Sequence, residues 1–363
     1  LGTTLRTSAS ILVMDRSRVE FSRVLALDPF ENIIGSGVLL GEGSEGVITN
    51  SVFRRCSNPG ALNGVAAIGV GVIGGPTEEL SVATIDSCVF ENNIVPEFGV
   101  VRFYGGAGVV TRSVFLGNRR LEGFGFGGGS KGVAIGAIFN QFSVIPPFLS
   151  VTDNLFVGNS TADDLGADSV PIVATAIRQG TIARNTFAEN TTEGETISLF
   201  NAASNNTTVA NNLIAGESPL LDPLFLRNPD DGGDGFGDDP ATHDIDESLN
   251  DDYGDLRLRA GSPAIDAGDV FFDFDTILDL SGNDRYVDDP GIPGAFIDLG
   301  AYEFQGTTCL PDVNGDGIVN PGDFNAWVIA FNNGSPLADQ NRDDEVSPDD
   351  FNAWVFNYNT GCP

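Results

Sequence analysis

The sequence predicts a mainly β protein: a parallel β-solenoid over residues 1–216, an acidic irregular capping segment over 217–306, and a small α-helical unit over 307–363 with two calcium loops. Three observations predict this. A short apolar pattern recurs along the first two-thirds, the density of acids jumps after it, and an Asp/Asn-rich motif is duplicated at the C-terminus.

Each copy of the repeat has an apolar residue, two variable positions, a small or amide residue, one variable position, and an apolar or aromatic residue. The copies are Ile48-Thr-Asn-Ser51-Val-Phe53, Ile85-Asp-Ser-Cys88-Val-Phe90, Val110-Thr-Arg-Ser113-Val-Phe115, Val151-Thr-Asp-Asn154-Leu-Phe156, Ile182-Ala-Arg-Asn185-Thr-Phe187 and Val209-Ala-Asn-Asn212-Leu-Ile214. Asn93, Asn118, Asn159 and Asn190 stand three residues beyond the aromatic. Intervals of 37, 25, 41, 31 and 27 residues each accommodate one coil of a solenoid with loop insertions. Runs such as residues 65–72 and 132–139 supply the other strands of a coil. Stacking places Phe53, Phe90, Phe115, Phe156 and Phe187 above one another in the core. It also aligns Asn154, Asn185 and Asn212 at a turn, where an amide can bond to the next coil about 4.8 Å away. Cys56 and Cys88 are five positions out of phase, and the spacing leaves two buried thiols and an inter-coil disulfide both open.

The acidic segment follows. Residues 1–216 hold 19 acids and 13 bases, whereas residues 217–303 hold 23 acids and 4 bases. Asp230, Asp234 and Asp238 recur on a Gly-rich backbone between residues 228 and 239. Carboxylate oxygens on a tightly curving chain suit a hard cation, so these three are candidate Ca²⁺ ligands.

The C-terminal unit carries the sharpest spacing. Asp312, Asn314, Asp316, Asn320 and Asp323 put oxygen side chains at positions 1, 3, 5, 9 and 12 of a loop, with Gly317 at 6 and the Ile318 carbonyl at 7. That is the EF-hand arrangement for Ca²⁺. A helix should start at once, capped by Asn320, with Pro321 in its first turn and Asp323 on the favourable end of its dipole. The motif returns 27 residues later as Asp339, Asn341, Asp343, Glu345, Ser347 and Asp350, with Asp344 in place of the glycine. Asp323-Phe-Asn-Ala-Trp-Val328 recurs verbatim as Asp350-Phe-Asn-Ala-Trp-Val355, and both tryptophans are expected in a shared core.

These motifs carry resemblances. The repeat resembles the parallel β-helix family, which implies a coil that is right-handed in most members and specifies no single function. The segments Asp255-Leu-Arg-Leu258, Gly261-Ser-Pro-Ala-Ile-Asp-Ala-Gly268 and Asp298-Leu-Gly-Ala-Tyr-Glu-Phe304 resemble the segment that closes the solenoid in secreted bacterial β-helix proteins. The duplicated loops resemble a type I dockerin, and more closely the variant bounded by cysteine and ending in Gly-Cys, here Cys309 and Gly361-Cys362. That resemblance implies a Cys309–Cys362 disulfide, worth about 4 kcal/mol by chain entropy. The chain departs at loop positions 10 and 11. Pro321-Gly322 and Pro348-Asp349 stand where cohesin-binding dockerins usually carry Ser/Thr-type residues, which argues against a standard cohesin partner.

Charge and composition narrow the function. A net charge of −33 repels nucleic acid and anionic lipid, and no apolar run is long enough for a membrane span. Four cysteines and a chain opening at Leu1 set the expectation of a processed, secreted or cell-surface protein. His243 and Lys131 are the single residues of their kinds, and no GxSxG, HExxH or CxxC motif occurs. The expectation is a non-catalytic structural or adhesive protein, a protomer of a filament or surface layer. Its C-terminal unit would dock on a neighbouring copy or a cohesin-like anchor. The alternative is a polysaccharide-binding or polysaccharide-degrading protein anchored through the same unit.

Overall fold

The computed structural model describes residues 5–7, 11–20, 37–41, 43–57, 67–71, 80–95, 99–120, 132–138, 148–161, 172–176, 179–191, 195–199, 206–215, 222–237, 247–259, 261–269, 278–287, 297–305, 310–314, 318–341 and 346–360. Three seven-stranded parallel sheets run through the first part, and neighbouring strands of each sheet come from successive coils. The first sheet runs from Leu5–Thr7 to Ile197–Leu199, the second from Ile11–Asp15 to Asn206–Ala210, and the third from Arg18–Glu20 to Leu213–Ile214. This is a parallel β-solenoid arrangement. No helix among the described residues is long and apolar enough to cross a membrane.

The register is set by the inward side chains. Val19, Phe53, Phe90, Phe115, Phe156, Phe187 and Ile214 pair in sequence along the third sheet. The five rings stack at centroid distances from 4.6 to 5.2 Å, tilted by no more than 15°. A strand slipped by one residue would turn its aromatic outward, so the column locks the stack. The first coil escaped the repeat search, yet Met14-Asp-Arg-Ser17-Arg-Val19 fits the pattern with Val in place of Phe.

Each bend into the third sheet has a residue in the left-handed backbone region: Arg16, Asn50, Ser87, Arg112, Asp153, Arg184 and Asn211. Such a conformation costs a non-glycine residue about 1 kcal/mol. The next residue offsets it by bonding across coils. Asn154, Asn185 and Asn212 form one amide ladder, in which Asn154 N–H donates to Asn185 Oδ1 and Asn185 N–H to Asn212 Oδ1, each at 3.0 Å. Asn93, Asn118, Asn159 and Asn190 form a second ladder at the far end of the third sheet. Cys56 and Cys88 occupy these two different rows and are buried without a disulfide between them, which removes that alternative.

The acidic segment was expected to close the solenoid end. Its described residues lie chiefly along the outer flank of the third sheet. Phe225, Leu256, Leu258, Ala264 and Ile265 form a second core with the outward-facing Leu155, Val157 and Ala188 and with Leu213. They also reach a corner of the last coil, where Gly300 N–H donates to Asn211 O at 2.9 Å. Val209, which continues an inward column, stays 44% exposed. The flank is covered because its middle coils present apolar residues outward, a pattern the alternation rule assigns to a buried face.

Left-handed Gly117 and Gly158 make that cover fit. A Cβ on Gly117 would collide with the Tyr253 hydroxyl, and one on Gly158 with the Phe236 ring. Phe236 and Tyr253 stack at 5.5 Å, and Tyr253 Oη lies 2.9 Å from the side-chain amide of Asn92.

At the C-terminus, α1 spans Pro321–Asn332 and α2 spans Asp349–Thr360. Trp327, Ala330, Ala338 and Trp354 form their shared core.

Candidate functional site

The duplication extends to individual hydrogen bonds. Asn320 caps α1 by accepting from Gly322 N–H at 2.7 Å, and Pro321 opens the helix. Asp323, fully buried, accepts from Asn314 N–H at 3.2 Å with one oxygen and from Asn320 N–H at 2.8 Å with the other. Asp350, also fully buried, accepts from Asn341 N–H at 3.2 Å and from Ser347 N–H at 2.8 Å. Asp350 takes a further N–H from Gln340 at 2.8 Å. Each last carboxylate of the predicted loop thus ties the loop entrance to the start of its helix. Two or three N–H donors and a helix N-terminus compensate the buried charge.

Of the predicted ligands, Asp312, Asn314, Ile318, Asn320 and Asp323 of the first motif and Asp339, Asn341, Ser347 and Asp350 of the second are among the described residues, and the structure joins Asp323 to Asn314 and Asn320 and Asp350 to Asn341 and Ser347. Asp316, Asp343, Glu345, Cys309 and Cys362 lie outside the described residues, as do Asp238, Lys131 and His243. No group of three or more His, Cys, Asp or Glu among the described residues is placed to hold a metal ion. The donor chemistry nevertheless suits Ca²⁺: all candidate atoms are hard oxygens, carboxylate, amide, hydroxyl or carbonyl.

The acidic segment uses its carboxylates locally. Asp230 accepts from Gly232 N–H at 3.0 Å, Asp231 from Gly233 N–H at 2.9 Å, and Asp234 from the Asn250 amide at 3.1 Å. The first two bonds hold tight Asx turns, and Asp230 and Asp234 are both exposed. Asp255 is held below the usual carboxylate range by the Arg257 guanidinium, which meets it at 2.9 and 2.6 Å. Burial pushes Asp251 above that range, against the Gly237 N–H and the Tyr253 hydroxyl that it accepts.

Phe324 and Phe351 stand beside the tryptophans in the two copies. The rings lie 6.1 Å apart but remain 38% and 43% exposed. Ile329 and Phe356, equivalent positions of the two copies, are 62% and 70% exposed and were missed. Their signal was present: both are large apolar residues just past the verbatim repeat. No protein-family model matches the chain, and the search of curated proteins finds no match.

Proposed function

We propose that this is a non-catalytic extracellular structural protein. A right-handed β-rod carries a dockerin-type unit that Ca²⁺ stabilises and that docks on a neighbouring copy of the chain. The observation that carries this reading is the repeated exposure of Phe324 and Ile329 on α1 and of Phe351 and Phe356 on α2. Large apolar side chains exposed at repeated positions on so small a unit favour burial against a partner.

Asp312, Asn314, Asp316, Ile318, Asn320 and Asp323 would hold one ion, and Asp339, Asn341, Asp343, Glu345, Ser347 and Asp350 a second. The bound ions would neutralise carboxylates and order the loops ahead of both helices. Fewer uncompensated charges would also weaken the repulsion between copies of a chain with net charge −33. Asp323 and Asp350 would then join loop entrance, ion and helix in one unit.

Sedimentation velocity and negative-stain imaging, each with Ca²⁺ and with EGTA, test the reading. The expected result is Ca²⁺-dependent oligomers that Ile329→Asp and Phe356→Asp abolish. A monomer under both conditions at every concentration would refute self-docking. A thermal transition of the C-terminal unit that ignores Ca²⁺ would refute the metal reading.

A further inference from the structure

A buried ionic cluster joins the solenoid to its flanking segment. Arg285 is fully buried, and its guanidinium donates to Asp153 Oδ1 at 2.9 Å and to the carbonyls of Gly300 and Ala301 at 3.2 and 2.9 Å. A further contact is Glu303 Oε2 at 3.7 Å. Asp153 is also held from the solenoid side by Arg184, at 2.9 and 3.1 Å. One guanidinium therefore pins the turn 297–305 to the rod.

Carboxylates outnumber guanidiniums around this pin. Glu303 and Asp298 belong to the pinned turn and are 5% and 1% exposed. Glu303 Oε2 accepts the Asp298 N–H at 3.0 Å. Asp298 accepts the N–H groups of Asp266 and Phe304. From the turn 278–286, buried Asp279 accepts the Glu303 N–H at 3.1 Å and the Asn283 N–H at 2.8 Å. From the turn 261–269, Asp266 adds a further negative charge, and from the solenoid come Asp153 and Arg184. Two guanidiniums thus stand against a cluster of five carboxylates, four of them buried, with Arg285 meeting Asp153 and Glu303 and Arg184 meeting Asp153. Full ionisation there carries a desolvation and repulsion cost that two cations do not offset.

We propose that Glu303 and Asp298 hold one proton between them through the neutral range, and that losing it unlatches the turn 297–305 from the solenoid flank. The shared proton lets the turn sit against Asp279 and Asp266 without a surplus charge. Burial first, and then the neighbouring Asp298, push the Glu303 carboxyl up to about 9. Burial pushes Asp298 up to about 6. Without the proton, the two guanidiniums face five full negative charges, and Asp153 already engages both of them. Moving the turn into water relieves the repulsion and detaches Leu299, Tyr302 and Phe304 from the second core.

Hydrogen exchange on the full chain between pH 7 and pH 10, corrected for the intrinsic rate, tests the latch. The amides to follow are Gly300, which donates to Asn211, and Ala301, which donates to Thr186 Oγ1 at 2.8 Å. Their protection is expected to fall by about tenfold per pH unit from pH 7 to about 9 and to level off above it, while the Asn118 amide inside the solenoid keeps its own. Glu303→Gln, which mimics the protonated carboxyl, should retain protection at pH 10, and so should Asp298→Asn. Protection of Gly300 and Ala301 that persists at pH 10 in the unaltered chain would overturn the proposal, whatever the variants do. Equal loss in the chain and in both variants would overturn it as well.

Discussion

Replacing Asn118 by Asp changes one buried atom from a donor to an acceptor and leaves the shape intact. In the native chain Asn118 Nδ2 donates to Phe90 O at 2.9 Å and to Asn159 Oδ1 at 2.8 Å. Its Oδ1 accepts the Asn93 N–H at 3.1 Å and the Asn93 amide at 2.8 Å. The substitution keeps the accepted bonds and turns the donor into an oxygen facing two other oxygens. Two lost bonds cost about 2 kcal/mol, and leaving buried acceptors without donors adds about 2–4 kcal/mol, for a total of about 4–6 kcal/mol at pH 7. Burial and the surrounding oxygens raise the folded-state value of the new carboxyl above its unfolded value. The damage therefore grows as pH rises and is relieved in acid, where a protonated carboxyl donates again. The assay is the shift of the urea midpoint at pH 7 and at pH 4.5 relative to the native chain, with Asn118→Ala as the pH-independent comparison. A penalty below about 1 kcal/mol at pH 7, or one with no pH dependence, would refute the ladder as a source of stability.

Arg285→Met leaves Asp153 and Glu303 without their shared cation. It is expected to destabilise the flanking segment by about 3–5 kcal/mol, read as faster limited proteolysis within 261–305. Glu303 binds its proton more tightly folded than unfolded, so its contribution is complete below about pH 4.5 and is lost as pH rises toward 9. The slope is about 1.4 kcal/mol per pH unit, and Glu303→Gln should flatten the alkaline limb of the unfolding curve. Asp323→Ala and Asp350→Ala each strand two or more N–H groups and should cost about 2–4 kcal/mol, measured by tryptophan fluorescence during unfolding of the unit that holds both tryptophans. Cys56 and Cys88 are both buried, and burial pushes the Cys88 thiol up to about 11, so inaccessibility should keep both from a thiol reagent until denaturation. A non-reducing mass that shows them linked would contradict the two separate rows.

Different kinds of residue account for what could and could not be foreseen. The Phe column was legible because a solenoid repeats one local decision in every coil, and stacking carries the sequence phase directly into space. The same holds for the amide ladders, since Asn recurs two residues before the inward position in three copies and three residues after it in four. The N-terminal coil was overlooked because Val19 and Ser17 satisfy the pattern with commoner residues. The helix starts were legible because Asn320, Pro321 and Asp323 act within a single turn. The pairing of Arg285 with Asp153 was not, because 132 residues separate them and neither has a distinctive neighbour pattern.

The sequence by itself determined the coil repeat, its register and the duplicated loop-and-helix unit. Each rests on contacts between residues at fixed local spacing, repeated until the pattern is unambiguous. Tertiary structure alone decided that the described residues of the acidic segment pack along the flank of the third sheet. It decided that Gly117 and Gly158 yield space to Tyr253 and Phe236, and that five carboxylates gather around two guanidiniums. These outcomes depend on how one irregular chain segment meets a face built by other coils. The energies that settle that meeting, apolar burial against desolvation of charge, exist only once the two surfaces are in contact.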